Sequence, residues 1–303
     1  MPGVRKFEHA HLYVPNVEET ASFYEEVMGL RRRSSGDVVR LETDPETHYD
    51  LYDNHHTIAL EEGTAGIDHF AIRITESEFE SVESRLASAG VEYEIHEGAE
   101  PGQQRSIRTS LPGGLPIELE VVEKAPDVDR QQVLPHSGVH HAPKGQDHIT
   151  LASSDVKTDA EFLRDVLGFK ISDVAMAGPD MWGMAFTRWG DHHHDVALIV
   201  APTREQTGLH HIAWQMTDLN HMKQLVDVLG KAGHEIDIDF TRHVLGNNVS
   251  LYFRDPAGHR VEITTEVAKL DADTPTTFHE EDPNDIVTFW DGTHPPLGEE
   301  EDH

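Results

Sequence analysis

The chain is built from repeats. The stretches 9-HAHLYVPNVEETASFYEEVMGL-30 and 148-HITLASSDVKTDAEFLRDVLGF-169 carry a histidine, a turn residue (Asn16, Asp155), a phenylalanine (Phe23, Phe162) and a glycine (Gly29, Gly168) at matched offsets. A second motif recurs as 66-GIDHFAIRI-74 and 208-GLHHIAWQM-216, and a third as 112-PGGLPIELEV-121 and 256-PAGHRVEITT-265. Repetition at a fixed period constrains a fold more tightly than local propensity, because each unit must present an apolar face that its copies cover. Within a unit, an apolar strand-like run leads through a turn into an amphipathic helical stretch, as in Glu76 to Gly90 and Asp218 to Gly233. Four βαβββ modules therefore begin near His9, His69, His148 and His211 and pair into two homologous halves, an α+β architecture.

The expected boundaries are a first domain over 1–124, a linker over 125–146 with prolines, histidines and glycines, and a second domain over 147–270. The tail over 271–303 is expected to pack on the second domain before its acidic end becomes disordered.

Composition narrows the chemistry. Cysteine is absent, so any transition metal must be held by nitrogen and oxygen, and 23 histidines are available. With 24 basic against 56 acidic residues the formal charge is −32, which makes nucleic acid a poor partner. An apolar fraction of 37% with strong periodicity argues that this charge coats a folded surface, as in a protein adapted to a high-salt cytoplasm. No run is apolar enough to span a membrane, and 1-MPGVRKFEHAH-11 lacks the apolar core of a signal peptide, so a cytoplasmic protein is expected.

The spacing of ligand-type residues repeats with the modules. His148 to His211 is 63 residues and His211 to Glu262 is 51; His9 to His69 is 60 and His69 to Glu118 is 49. Two histidines on opening strands and a glutamate on a closing strand make a 2-His-1-carboxylate face, which leaves metal positions open for substrate and oxygen. Alignment of the opening pair with Asp147-His148 selects His211 over His210, and strand alternation predicts that His210 faces the other way. Taken singly, each histidine is more often a hydrogen-bonded strand residue than a ligand.

The runs 148-HITLASSDV-156, 194-HDVALIV-200, 209-LHHIAW-214 and 241-TRHVLGNNVSLYFRDPAGHRVEIT-264 resemble the vicinal oxygen chelate superfamily, and within it the type I extradiol ring-cleaving dioxygenases of the catechol 2,3-dioxygenase group. The resemblance implies that each pair of modules forms an open barrel. It implies iron ligands His148, His211 and Glu262, with Fe(II) as the metal and Mn(II) as the alternative. It also implies that His194 stands beside bound oxygen as a cationic donor, and that His243 and Tyr252 contact the substrate oxygens. The implied partners are a small aromatic diol and dioxygen, in a homo-oligomer, dimer or tetramer.

Two other functions are kept open. A glyoxalase-type isomerase or lyase would need a fourth protein ligand, and 194-HDVALIV-200 offers only Asp195. A non-catalytic small-molecule-binding protein would have no use for the full ligand set. An uncharged catechol is the expected substrate, because neither 235-EIDIDF-240 nor 282-DPNDIVTFWDG-292 carries an Arg or Lys to pair a ring carboxylate. The first half is expected not to catalyse. Counting back from Glu118 places Ala99 and Arg108 where the second half has His243 and Tyr252, and only His56 keeps the place of His194. Whether His9, His69 and Glu118 hold a second metal is a question for the structure.

Overall fold

A computed structural model describes residues 7–34, 38–42, 56–122, 141–281 and 288. The first half runs β1 (Phe7–Val14), α1 (Val17–Glu26), β2 (Arg31–Ser34), β3 (Val38–Glu42), β4 (Ile58–Glu62), β5 (Gly66–Arg73), α2 (Glu76–Ala89), β6 (Glu94–Glu97), β7 (Gln103–Ser110) and β8 (Pro116–Val122). This is βαβββ twice over. The second half repeats it with β9 (Gln146–Ser153), α3 (Val156–Phe162), β10 (Lys170–Gly178), β11 (Met181–Arg188), β12 (Val196–Val200), β13 (Gly208–Gln215), α4 (Leu219–Ala232), β14 (Ile236–Arg242), β15 (Val249–Arg254) and β16 (Arg260–Thr265). β9 begins at Gln146, which the sequence places at the end of the linker; residues 125–140 of that linker lie outside the described residues.

Each half is one sheet with the order β2-β3-β4-β1-β5-β8-β7-β6 or β14-β15-β16-β13-β9-β12-β11-β10, to which the tail adds β17 (Thr277–His279) beside β10. At the centre of each sheet the two opening strands pair antiparallel, β1 with β5 and β9 with β13. Each opening strand is flanked by the closing strand of its own module in parallel. A residue on a closing strand is thereby brought beside the opening strand, which no local sequence separation could do.

The helices start where short polar side chains can cap them. Asn16, Thr75, Asp155 and Asp218 each accept from a backbone N–H of the first turn, and Thr75 with Glu78 completes a capping box. One copy departs from its repeat: after Phe162 the helix widens into a π-helical turn over Leu163–Leu167 and stops at Gly168 with φ 94°. Arg85 of α2 donates to Leu167 O at 2.8 Å, and a Cβ on Gly168 would meet its guanidinium at 2.9 Å. The left-handed φ is what favours glycine there, since the guanidinium lies at the end of a flexible side chain that can shift.

The halves are covered by each other. Phe23 of α1 packs edge-on to His234 and near Phe253, while Tyr24 lies against Trp214 and donates to Asp255 Oδ2 at 3.2 Å. Trp189 Nε1 donates to Glu78 of α2 at 2.9 Å, and Gly113 N donates to Asp159 at 2.7 Å. The apolar core is continuous across both sheets. Among the described residues no helix is long and apolar enough to cross a membrane.

Candidate metal centre

His148 on β9, His211 on β13 and Glu262 on β16 converge because Ala213 of β13 is paired with both His148 and Glu262 in the ladder. All three are buried. Glu262 Oε2 lies 3.2 Å from His148 Nε2 and 2.9 Å from His211 Nε2. Adjacent donors of an octahedral ion at ~2.1 Å stand about 3 Å apart, so these separations are the edges of such a site. Glu262 Oε1 is occupied, accepting from Ser250 Oγ and from Asn248 Nδ2 at 3.4 Å, whereas buried Oε2 has no hydrogen bond. A buried acceptor aimed at two imidazoles suits a cation.

The electrostatics agree. Burial works against charge on both partners, yet His148 and His211 hold the Glu262 carboxyl well below its ordinary range. Burial also opposes a charge on His148, but Glu262 and the Asp147 hydrogen bond outweigh it and push that imidazole up to about 9. His148 Nδ1 is 3.0 Å from Asp147 Oδ1, a carboxylate partner that fixes ring orientation and leaves Nε2 for a metal.

The expectation that His210 turns away is corrected. The β9–β13 register slips between Leu209 and His211, a bulge that places His210 outside the alternating pattern. Its Nδ1 lies 2.7 Å from His211 Nδ1, and its Nε2 is 3.1 Å from Arg260. His210 is therefore the group that orients His211, as Asp147 orients His148.

The other three expected residues gather on the same side. The His194 ring lies 4.1 Å from that of His148, and the Tyr252 ring 5.4 Å from that of His211. Tyr252 is directly across the ladder from Glu262, and its hydroxyl is 2.8 Å from His243 Nε2. Burial, with Glu262, raises the Tyr252 phenol well above its usual range, so it stays a donor. Burial, with His148 and His193, holds His194 well below the usual imidazole range.

Sequence reasoning missed Ser250 and Asn248, which hold the carboxylate, and a string of side chains behind His194. His193 Nδ1 lies 2.9 Å from His194 Nδ1, His193 Nε2 lies 2.6 Å from Asp173, and Asp173 lies 2.7 Å from His279 on β17. The run DHHHD gave the only hint. Asp195 is buried and its Oδ2 accepts from Trp189 N at 2.7 Å, so it supplies no fourth donor.

The profile of the Glyoxalase/Bleomycin resistance protein/Dioxygenase superfamily matches residues 6–119 and 145–263. The manganese-dependent 2,3-dihydroxybiphenyl 1,2-dioxygenase of Geobacillus genomosp. 3 is 29% identical over 86% of this chain and 84% of its own. Among solved structures, the 2,3-dioxygenase LapB from Pseudomonas sp. KL28 is similar with TM-score 0.81 and 24% identity, covering 92% of this chain and 98% of that one. The Mn(II)-bound glyoxalase from Novosphingobium aromaticivorans is similar with TM-score 0.80 and 25% identity, covering 100% and 96%.

Proposed function

The chain belongs to the Glyoxalase/Bleomycin resistance protein/Dioxygenase superfamily, and on that premise we propose that its second half is an extradiol dioxygenase, opening a catechol ring beside its hydroxyls to a 2-hydroxymuconic semialdehyde-type product. The relative from Geobacillus genomosp. 3 is named as a dioxygenase of an aromatic diol, and a further relative from Geobacillus stearothermophilus, 23% identical over 96% of this chain, is named metapyrocatechase. One observation carries the reading. A three-donor face of His148, His211 and Glu262 has His194, His243 and Tyr252 gathered against it, and among the described residues no fourth donor belongs to that group. A glyoxalase-type reaction is disfavoured by the position of Asp195.

His148, His211 and Glu262 would hold Fe(II) or Mn(II). When bound, the metal supplies Lewis acidity and brings diol and dioxygen together. The chain's own groups do the rest. The paired His243 and Tyr252 present an imidazole and a phenol to the diol oxygens, one able to take a proton as the diol ionises and the other able to donate a hydrogen bond. His194 can hold and pass a proton as negative charge develops on oxygen, and its contact with His193 extends that path to Asp173. Phe186, 5.2 Å from the His194 ring, limits water on that side.

The test is to load the protein with Fe(II) without air and then add catechol and oxygen. Stoichiometric oxygen uptake with a yellow product is expected; isomerisation of a hemithioacetal with no oxygen uptake would favour the lyase instead.

A further inference from the structure

We infer that His9, His69, Glu118 and Glu100 bind a second divalent cation, in a closed site that serves structure rather than ring cleavage. The first half repeats the ladder of the second: His9 is paired with Ala71, Ala71 with Glu118, and His11 with His69. His9 Nε2 and His69 Nε2 approach to 3.1 Å. Glu118 Oε2 lies 3.2 Å from His69 Nε2 and 3.8 Å from His9 Nε2, and Glu100 Oε2 lies 3.5 Å from His9 Nε2. The four donor atoms fall within 4.8 Å of one another, and all four residues are buried.

The hydrogen bonds behind the donors favour a cation in front of them. His9 Nδ1 is 3.0 Å from Glu120 Oε1 and His69 Nδ1 is 2.6 Å from Asp68 Oδ2. A carboxylate can only accept, so both Nδ1 positions donate, and the two Nε2 atoms converge on each other and on the buried Glu118 Oε2. Such an arrangement needs positive charge at its centre. Glu100, Glu118, Glu120 and Asp68 bring four negative charges, and Arg108 and Arg40 bring two positive ones. Carboxylates thus outnumber guanidinium groups around the donor atoms.

Two features set this site apart from the other. Glu100 comes from the loop between β6 and β7 and adds a fourth protein donor, so a metal here would tie that loop to β1, β5 and β8. Arg108 stands across the ladder from Glu118, donating to Oε1 at 3.0 Å, where a substrate-contacting phenol would be needed. Two imidazoles with two carboxylates suit Mn(II) or Fe(II) better than a thiophilic ion.

The rival occupant is Arg108 itself, whose Nη2 reaches 3.3 Å from His69 Nε2. Its side chain is a third exposed, and metal binding requires the planar guanidinium to turn toward solvent so that Nη2 leaves His69 Nε2 and Glu100 Oε1. Mn(II) titration of the metal-stripped full chain decides between the two. Two equivalents are expected for the wild type and one for Glu262→Gln. Glu100→Gln, or Glu118→Gln if the first folds poorly, is expected to weaken the extra equivalent by roughly tenfold or more, and chelation should still lower the melting temperature of Glu262→Gln. One equivalent in the wild type and none in Glu262→Gln would overturn the inference and leave Arg108 as the resident cation. The count of metal per chain is read whether or not the protein cleaves a catechol, so its failure is distinct from failure of the proposed activity.

Discussion

Arg108 and Tyr252 occupy one position in two copies of the same strand ladder: Arg108 faces Glu118 across β7 and β8, and Tyr252 faces Glu262 across β15 and β16. A guanidinium at this position ties up one oxygen of its carboxylate and puts a fixed positive charge where a substrate would sit, whereas a phenol offers a substrate a neutral hydrogen-bond donor. This difference predicts that Glu262→Gln, with His9, His69 and Glu118 intact, has no measurable ring cleavage at matched metal loading. Appreciable turnover by that variant would relocate the working site.

The bulge at His210 changes the mutational expectation at that residue. His211→Ala should lose the metal of the second half. His210→Ala removes the orienting contact at His211 Nδ1 and is expected to weaken that metal by about 10- to 100-fold. Equilibrium dialysis of both variants checks this; an unchanged affinity in His210→Ala would show that the 2.7 Å contact is incidental.

His194 touches the His148 ring but is not among the three donors. Its replacement by Phe should keep the metal and slow turnover by roughly 10²- to 10⁴-fold. Metal content measured beside kcat separates the two effects, and a variant that loses its metal would make His194 a ligand instead.

Substrate charge should matter. Within 235-EIDIDF-240 no basic side chain stands ready to pair a ring carboxylate, and 282-DPNDIVTFWDG-292 lies, apart from Thr288, outside the described residues. Higher kcat/KM on catechol or methylcatechol than on a ring acetate is the expected ranking, checked by competition between them.

Asp173 gives a pH dependence that is independent of metal. Burial opposes its ionisation, but hydrogen bonds from His193 and His279 outweigh that and hold its carboxyl below the ordinary value. A carboxylate depressed on folding stabilises fully above its unfolded pKa, about 3.9, and this stabilisation fades as pH falls through the lower folded value. Asp173→Asn should therefore melt earlier than wild type at neutral pH, with the gap closing below about pH 4. Melting curves of the pair over pH 3 to 7 test it.

The formal charge of −32 leads to a salt requirement. Self-repulsion among surface carboxylates is screened within about 3 Å at 1 M salt but reaches about 30 Å at 0.01 M. The melting temperature should rise steadily from dilute buffer to molar salt, and a flat profile would show that the charge is tolerated without screening.

Much of this was legible in the chain because ladder position and module period are locked together. His148, His211 and Glu262 are spaced by 63 and 51 residues, close to the 60 and 49 of His9, His69 and Glu118, so equivalent strands had to bring them together. What stayed hidden were contacts made by breaking the period. His210 joins the site through a bulge, and a bulge leaves no mark on an alternating pattern. Glu100 enters from a loop where ungapped counting lands on Ala99. Asp173 and His279 meet His193 only because the tail adds β17 to the edge of the second sheet. Arg85 likewise reaches the end of the π-helical turn, at Leu167 O, from 82 residues earlier in the chain.

The crossed packing of helices has a consequence for how the protein is made. Phe23 and Tyr24 also meet Phe253, His234, Trp214 and Asp255, all of which leave the ribosome more than 180 residues later. A nascent first half thus emerges with these aromatic contacts unmade and waits for the last module to supply them. Assembly of the His148–His211–Glu262 face is correspondingly late, since Glu262 is among the last of the core residues translated, and metal insertion there must follow release of nearly the whole chain.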